Sequence, residues 1–367
     1  MAPIPDGLKV AYLLPSPGIP IRGPSGASAH ARNLVRAMGE DHDVRVFTAR
    51  ISDHRGVHGE PVPSVACGAP AWPRWLGRYR DIVEVSAARR LAERLRVETR
   101  NGWQPDLLVE RHTLFSDAGW RIHDALDIPW VLEVNAPPVL ERERTGELRR
   151  PRWARRWEQR VLQAAPAVVT VSRWLVRWLE DEVGCRNVHW VPNGATPLRG
   201  SRKRGRKLLG VKGKQPVVGF VGSMKPWHGV GRLPAIAEAL DARLALIGAM
   251  DSPMDDALCP GHLGPQDLAD AVAALDVGLA PYPADAPPWF CPLKILDYRA
   301  QGTPVVATSI GECEHLVGTG GTVVEPGDDQ AIIDACKAWL GKRTDRRVRS
   351  WHRVAKQVLG VGLGIEV

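Results

Sequence analysis

The sequence predicts an α/β protein of two domains, each built on a parallel β-sheet. Short, nearly continuous apolar runs recur along the chain and alternate with segments of helical periodicity. This pattern is typical of strands that are buried on both faces between helices. The 367 residues also exceed the length of about 250 residues at which a single hydrophobic core stops growing, so two domains are favoured.

The first half of the chain contains apolar runs that alternate with amphipathic segments. The predicted strands are residues 9–14, 44–48, 106–109, 130–134, 167–171 and 189–191. The predicted helices are residues 28–38, 83–97, 154–162 and 174–182. Alternation of this kind indicates βαβ units and therefore parallel strand pairing.

The second half repeats the alternation. Its predicted strands are residues 216–221, 243–247, 277–281, 304–307 and 322–325, and its predicted helices are residues 230–240, 265–274, 293–300 and 329–340. Residues 192–213 hold Asn193-Gly194 and a basic run, which predict an exposed linker. We therefore expect domains at 1–197 and 198–345 that face each other across a cleft, with 346–367 crossing back to the first domain.

The composition excludes disordered, collagen-like and disulfide-stapled chains, and no apolar run approaches the roughly 18 residues of a membrane span. The first twenty residues lack a charged start followed by an apolar core, so we expect a cytoplasmic protein. The cysteines are isolated, which favours reduced thiols. His54 and His58 have a helical ligand spacing, but Gly56 lies between them and no third ligand follows, so we expect a loop and no metal site.

The excess of 49 Lys and Arg over 41 Asp and Glu gives a net charge of +8, which could attract an anionic partner. Part of the excess lies at residues 142–160, where arginines interleave with Trp153 and Trp157 on one helical face. This stretch predicts a solvated helix with packed tryptophans, an acceptor-side wall, or a face for an anionic membrane surface. We do not expect nucleic-acid binding.

Three segments resemble one protein family. The first is FCPLKILDYRAQGTPVVA at residues 290–307, followed by Gly311, Glu314 and EPGD at 325–328. The second is GFVGSMKPWHG at 219–229, and the third combines residues 169–172 with 191–194. Together they are similar to the retaining, nucleotide-sugar-dependent transferases of glycosyltransferase family 4, which have the GT-B fold of two Rossmann-like domains.

Pro292 can open a helix whose free amide groups form an anion site, and Lys294 adds a cation suited to a diphosphate. The resemblance implies that this helix start, with Phe290, Pro292 and Leu293, lies against the phosphate and sugar of the donor. Asp297 stands one turn later, where a carboxylate can accept hydrogen bonds from ribose hydroxyls. The family normally has Glu at that position.

The paired Glu of the family, eight residues earlier, is Trp289 here, so another group must replace its contact to the donor sugar. The ring face of Trp289 is one candidate, and a structural tryptophan is the alternative. In the second segment, Gly222 can let the backbone approach a phosphate. The family commonly has Arg at Ser223 and Lys at His228, and we expect Lys225 and His228 to bind the diphosphate instead.

In the first domain, the loop 17–26 follows the first strand, and Gly26 resembles the family glycine that faces the reaction centre. Asn135 follows the strand 130–134 at a position where many relatives have His. Asn can hydrogen-bond but cannot titrate, so it is unsuitable as a general base. We place Asn135 in the site and expect Glu133 to face away from it.

The resemblance implies a retaining hexosyltransferase that uses a nucleoside diphosphate sugar, which we expect to be a uridine diphosphate sugar. The acceptor is expected to be a hydroxyl or amine of a small soluble natural product. We expect no metal and no cofactor, and assign catalytic roles to Asn135, Lys225 and Lys294. A nucleotide-sugar epimerase of the same fold and a noncatalytic sugar or nucleotide binder remain alternatives.

Overall fold

A computed structural model describes residues 4–52, 62–67, 80–196, 198–248, 254 and 256–366. The chain divides into two compact units. Residues Met1–Pro192 and Trp351–Val367 form unit 1, and residues Asn193–Ser350 form unit 2. His54 and His58 lie outside the described residues.

Unit 1 is built on a parallel sheet that has seven strands within the described residues, in the order β3-β2-β1-β4-β5-β6-β7. The strands are β1 Lys9–Leu14, β2 Asp43–Thr48, β3 Ser64–Ala66, β4 Leu107–Arg111, β5 Trp130–Val134, β6 Ala167–Thr170 and β7 Val188–Trp190. The central strands are buried on both faces, as their continuous apolar runs predict.

The helices of unit 1 are α1 Gly26–Met38, α2 Arg80–Arg100, α3 Ala118–Leu126, α4 Pro138–Arg144, α5 Pro151–Ala164, α6 Arg173–Arg177 and, from the end of the chain, α13 Trp351–Leu363. A π-helical turn at Trp178–Val183 continues α6. Helix α13 packs on α1, β4, β5 and β6. The last helix therefore completes the hydrophobic core of the unit that contains the first residues of the chain.

Unit 2 has a second parallel sheet, with six strands in the part of the chain that is described, in the order β10-β9-β8-β11-β12-β13. Its strands are β8 Val217–Val221, β9 Arg243–Ile247, β10 Leu258–Gly261, β11 Val277–Ala280, β12 Val305–Thr308 and β13 Gly321–Val324. Its helices are α7 Arg202–Leu208, α8 Leu233–Ala239, α9 Pro265–Ala274, α10 Leu293–Ala300, α11 Cys313–Val317 and α12 Asp329–Trp339.

The boundaries between the units differ from those predicted at 197 and 345. Unit 2 already begins at Asn193, because the Asn193 side-chain amide donates to the Cys291 carbonyl oxygen at 2.8 Å. Ala195 then pairs with Ser350 in an isolated parallel bridge. The chain thus leaves unit 2 only after residue 350, where α13 begins.

The prediction of an exposed linker at 192–213 is wrong for most of its length. Residues 202–208 form α7, which begins at the Ser201 cap and packs against α9. Two of the five basic residues of this run form ion pairs, Arg202 with Asp276 at 2.7 Å and Arg204 with Asp270 at 2.6 Å. Neutralisation of these charges by a neighbouring helix cannot be seen in local composition.

We also searched the structure for membrane-spanning helices and for clusters of metal-ligating side chains. No helix among the described residues is long and apolar enough to cross a membrane. Within the same residues, no group of three or more His, Cys, Asp or Glu side chains is arranged to hold a metal ion.

The close packing of α7 on α9 generates a stability prediction. A Cβ at Gly205 would lie 1.8 Å from the carbonyl oxygen of Asp270. Because backbone cannot move aside as a flexible side chain can, we expect Gly205→Ala to lower the free energy of unfolding by about 3 kcal/mol. The midpoint of urea unfolding measures this change.

Gly231→Ala is the matched control, since a Cβ at Gly231 meets no atom within 4 Å and its φ is not positive. We expect this variant to be as stable as the wild type or slightly more stable. Equal midpoints for Gly205→Ala and the wild type would contradict the observed packing.

Candidate functional site

Lys294 lies in the second residue of α10 and is buried, with 8% of its surface exposed. Its Nζ is 3.9 Å from the centroid of the Phe220 ring and 4.9 Å from that of Tyr282. These rings attract the ammonium group through their negative faces. Lys294 is therefore not a surface lysine, and it stands at the carboxyl edge of the sheet, where β8 and β11 end.

Burial lowers the pKa of Lys294 to about 7, although Cys313 and Asp297 act in the opposite direction. Asp297 is three residues later, on the same face of α10, and is partly buried. Burial raises the pKa of Asp297 to about 7, and the nearby Lys294 offsets part of that rise. The start of α10 thus holds two ionisable groups that are poorly solvated, a state that favours binding of a charged, polar ligand.

The turn after β8 carries the second set of predicted residues. Gly222 has a φ of 154°, and a Cβ there would lie 3.4 Å from Lys294 Nζ. Gly229 closes the turn with a φ of 69°, where a Cβ would lie 2.0 Å from the Pro281 carbonyl oxygen. Both positions require glycine. Ser223 and Lys225 between them are exposed.

His228 is buried in the same turn, with its ring packed on Trp227, Phe220 and Tyr282. Burial, together with the smaller effect of the Lys294 and Lys225 charges, lowers the pKa of His228 to about 2. The Lys225 amide N–H donates to His228 Nδ1 at 3.3 Å. A neutral imidazole that accepts at Nδ1 carries its proton on Nε2, so His228 can donate one hydrogen bond.

The loop before α10 is held by aromatic packing. Trp289 is 5% exposed, and this burial favours the structural alternative over a ring face for the sugar. Phe290 is partly exposed and makes edge-to-face contacts with Tyr282 and Trp227. Pro292 is the N-cap residue, so the helix begins at Leu293, which is partly buried. The aromatic contribution of Phe220 and Tyr282 was not predicted, since isolated aromatic residues carry no positional signal in the sequence.

In unit 1, Gly26 is the first residue of α1 and is exposed. Its φ is not positive and a Cβ there would meet no atom within 4 Å, so the fold itself does not require glycine. The preceding loop is fixed by Arg32, whose guanidinium donates to the carbonyl oxygens of Ile21 and Gly23. Gly26 therefore follows an ordered loop, and the space where its side chain would be is empty of protein atoms.

Asn135 follows β5, and its side-chain amide donates to Glu133. The expectation that Glu133 faces away is wrong, because residues two apart in an extended chain lie on the same face. Glu133 is also bound by Tyr12 at 2.7 Å and lies 2.5 Å from His30 and 3.4 Å from Arg111. Sequence reasoning did not find Tyr12, His30 or Arg111 as partners, since they belong to three other elements.

The basic stretch 142–160 corresponds to the first alternative, a solvated helix with packed tryptophans. Trp153 stacks on Phe115 with ring centroids 4.2 Å apart, and Trp157 meets the same ring edge-on. Arg142 is buried and bound to Glu84 at 2.6 Å. The outer face of α5 is exposed and carries Arg152, Arg155 and Arg156.

Comparison with known proteins assigns both units. Residues 24–197 match the model of Glycosyltransferase Family 4, and residues 215–342 match the model of Glycosyl transferases group 1. The chain belongs to glycosyltransferase family 4. The predicted family is therefore confirmed.

One relative is the D-inositol 3-phosphate glycosyltransferase of Corynebacterium jeikeium (strain K411), which is 28% identical to this chain over 274 residues. The match covers 65% of this chain and 63% of the relative, so the chain spans less than two thirds of the relative's length.

Two solved structures show the same fold. Sucrose-phosphate synthase from Thermosynechococcus elongatus has a TM-score of 0.69 at 17% identity and covers 97% of both chains. Anabaena Alr3699/HepE in complex with UDP has a TM-score of 0.64 at 17% identity, covering 96% of this chain and 95% of that chain. These similarities confirm the predicted GT-B fold of two Rossmann-like α/β sheets.

The desolvated cation generates a second stability prediction. Lys294→Met removes a buried charge and shortens the unbranched side chain by only one atom, so we expect the variant to be more stable by roughly 1–4 kcal/mol at pH 6. Lys294 in the folded protein loses its proton near pH 7, whereas in the unfolded chain it keeps the proton to about pH 10.5. The free energy of unfolding of the wild type therefore rises between about pH 7 and pH 10.5. The stability gained by Lys294→Met is consequently smaller at pH 9 than at pH 6.

Chemical unfolding of both proteins at pH 6 and pH 9 measures the gain. Lys337→Met, on the exposed face of α12, is the control and should change stability little at either pH. A gain for Lys294→Met that does not depend on pH would show that the Lys294 amine is not desolvated in the folded protein.

Proposed function

We propose that this protein is a retaining hexosyltransferase that moves a sugar from a nucleoside diphosphate to a hydroxyl or amine of a small-molecule acceptor. The observation that carries the proposal is the buried Lys294 ammonium at the start of α10, beside the Gly222 turn and His228. A desolvated cation, free helix-start amides and a neutral imidazole donor suit a diphosphate leaving group.

The chemical task is to stabilise negative charge that grows on the departing diphosphate. Lys294 supplies positive charge where the effective dielectric is low, so its interaction with phosphate is stronger than in water. His228 supplies an Nε2–H donor that stays neutral at every physiological pH, and Lys225 supplies a second cation from the exposed side of the turn. Asp297 has carboxylate oxygens that can accept from ribose hydroxyls.

Proton transfer does not require a strong base from the protein in the proposed mechanism. The sugar is replaced on the face from which the diphosphate departs, and the leaving phosphate takes the proton of the attacking hydroxyl or amine. Asn135 then has only to hydrogen-bond, which agrees with its inability to titrate. Because the cations stabilise the leaving group, the proposed mechanism needs no divalent metal.

We propose uridine diphosphate as the nucleotide, since the structural relative Alr3699/HepE was solved with UDP. A polyhydroxylated small molecule is the proposed acceptor, because the curated relative is named for D-inositol 3-phosphate. Gly26 is proposed to face the reacting atoms, which explains a glycine where the protein backbone has no need of one.

Incubation of the purified protein with UDP-hexoses and a panel of polyol acceptors tests the proposal. We expect a mass increase of one hexose on an acceptor, with UDP released, in the presence of a metal chelator. Lys294→Met should lower kcat/KM by roughly 10²- to 10³-fold, since one charge-stabilising donor is lost. Lys337→Met should retain wild-type rates.

Binding of UDP without any product, for every donor and acceptor, would favour a noncatalytic binder. Entry of solvent deuterium into the donor sugar would favour the epimerase alternative. Wild-type rates in Lys294→Met would contradict the assigned role of this residue.

Gly26→Ala separates the demands of stability from those of activity. Because the new methyl group meets no protein atom, we expect stability to stay equal or to rise by about 0.4–1 kcal/mol. The methyl group would occupy space next to the reacting atoms, where small displacements cost about 10²-fold in rate, so we expect kcat/KM to fall by that order. Thermal unfolding and the transfer assay measure the two effects, and full activity would place Gly26 away from the substrate.

A further inference from the structure

Glu133 is a buried carboxylate whose oxygens are engaged by side chains from several elements. Tyr12 donates its hydroxyl to Oε2 at 2.7 Å, and on the Oε1 side His30 lies at 2.5 Å and Arg111 at 3.4 Å. Burial alone would raise the pKa of Glu133, but His30, Arg111 and Tyr12 outweigh it and lower the pKa to about 2. Glu133 therefore stays ionised and can only accept hydrogen bonds.

This constraint decides which way the Asn135 amide points. Its Nδ2 donates to Glu133 Oε1. The amide oxygen could not take the same place, because an ionised carboxylate has no proton to offer and would repel it. Asn135 Oδ1 is consequently turned away from Glu133. It is buried and finds no hydrogen-bond partner among the residues that the structure describes.

A buried oxygen without a partner costs stability, so such a group calls for an explanation, and a bound ligand that donates to it is one. A cavity at the carboxyl ends of β5 and β6 is lined by His30, Glu133, Asn135 and Thr170, with Val354 and Val358 of α13 opposite. The Thr170 hydroxyl is already donated to the Val134 carbonyl oxygen at 2.7 Å. Among the side-chain oxygens that line this cavity, Asn135 Oδ1 is the one without a hydrogen-bond partner in the described part of the chain.

We propose that Glu133 is a positioning residue that holds Asn135 Oδ1 as the acceptor for a hydroxyl group of a bound substrate. The inference rests on the proposed function, since it assumes that Asn135 meets the reacting sugars. An amide oxygen fixed in this way selects a neutral hydroxyl and repels a phosphate or carboxylate oxygen. It therefore predicts a sugar or polyol hydroxyl at this point of the site, and no anionic group.

A double-mutant cycle on the full-length protein tests the link between the two residues. In Glu133→Gln, the neutral amide can donate or accept, so the orientation of Asn135 is no longer imposed. We expect this variant to lose roughly tenfold in kcat/KM with a UDP-hexose and the acceptor found in the transfer assay, the size of one misplaced hydrogen bond. Asn135→Ala should lose at least as much.

The decisive comparison is Glu133→Gln in the Asn135→Ala background. If Glu133 acts through Asn135, the double variant should be as active as Asn135→Ala alone. Glu110→Gln is the matched control, because Glu110 is equally buried but accepts from Ser116 and Gly119 instead. We expect this control to stay within about twofold of the wild type.

Losses that multiply in the double variant would assign Glu133 a merely structural role and overturn the inference. So would a Glu133→Gln variant with wild-type kcat/KM while the wild type transfers sugar, a result that leaves the proposed function intact. A wild type that turns over no donor overturns the proposed function and the inference with it.

Discussion

A cation held out of water is the interaction around which the candidate site of unit 2 is arranged. Lys294 is desolvated at the start of α10, and the faces of Phe220 and Tyr282 offset part of that cost. Gly222 has a positive φ, and a Cβ there would lie 3.0 Å from the Phe220 ring. His228 is neutral next to the ammonium group. The aromatic residues around these groups therefore form a support for a charge and not simply a hydrophobic core.

Unit 1 holds a buried anion, Glu133, whereas unit 2 holds a buried cation, Lys294. Glu133 is nearly as deeply buried as a core leucine, and it is stabilised by donors from β1, α1 and β4 as well as by the residue that follows its own strand. Glu133 and Lys294 each lie at the carboxyl edge of a parallel sheet, where side chains from several strand ends can come close together. The two charges are stabilised differently, Lys294 by aromatic ring faces and Glu133 by hydrogen-bond donors and cations.

Several arginines have roles inside the structure. Arg32 holds the loop before α1 through two carbonyl oxygens, and Arg142 is bound to Glu84 inside unit 1. In unit 2, Arg204 is tied to Asp270 and Arg299 to Asp345. A planar guanidinium with several donors suits such roles. The net charge of +8 is therefore a weak guide to external partners.

The local sequence pattern determined most of the core strands and helices, because continuous apolar runs and helical periodicity depend on residues that are close in the chain. The elements with the predicted bounds are β1, β5, β9, α9 and α10. The local pattern missed the short edge strands β3 and β10. The motif residues Gly222, Lys294 and Asp297 were identifiable in the sequence. Only tertiary structure decided that Lys294 is buried and that the Tyr12 hydroxyl binds Glu133, which is 121 residues away. Desolvation and pairing depend on contacts between residues that are remote in the chain.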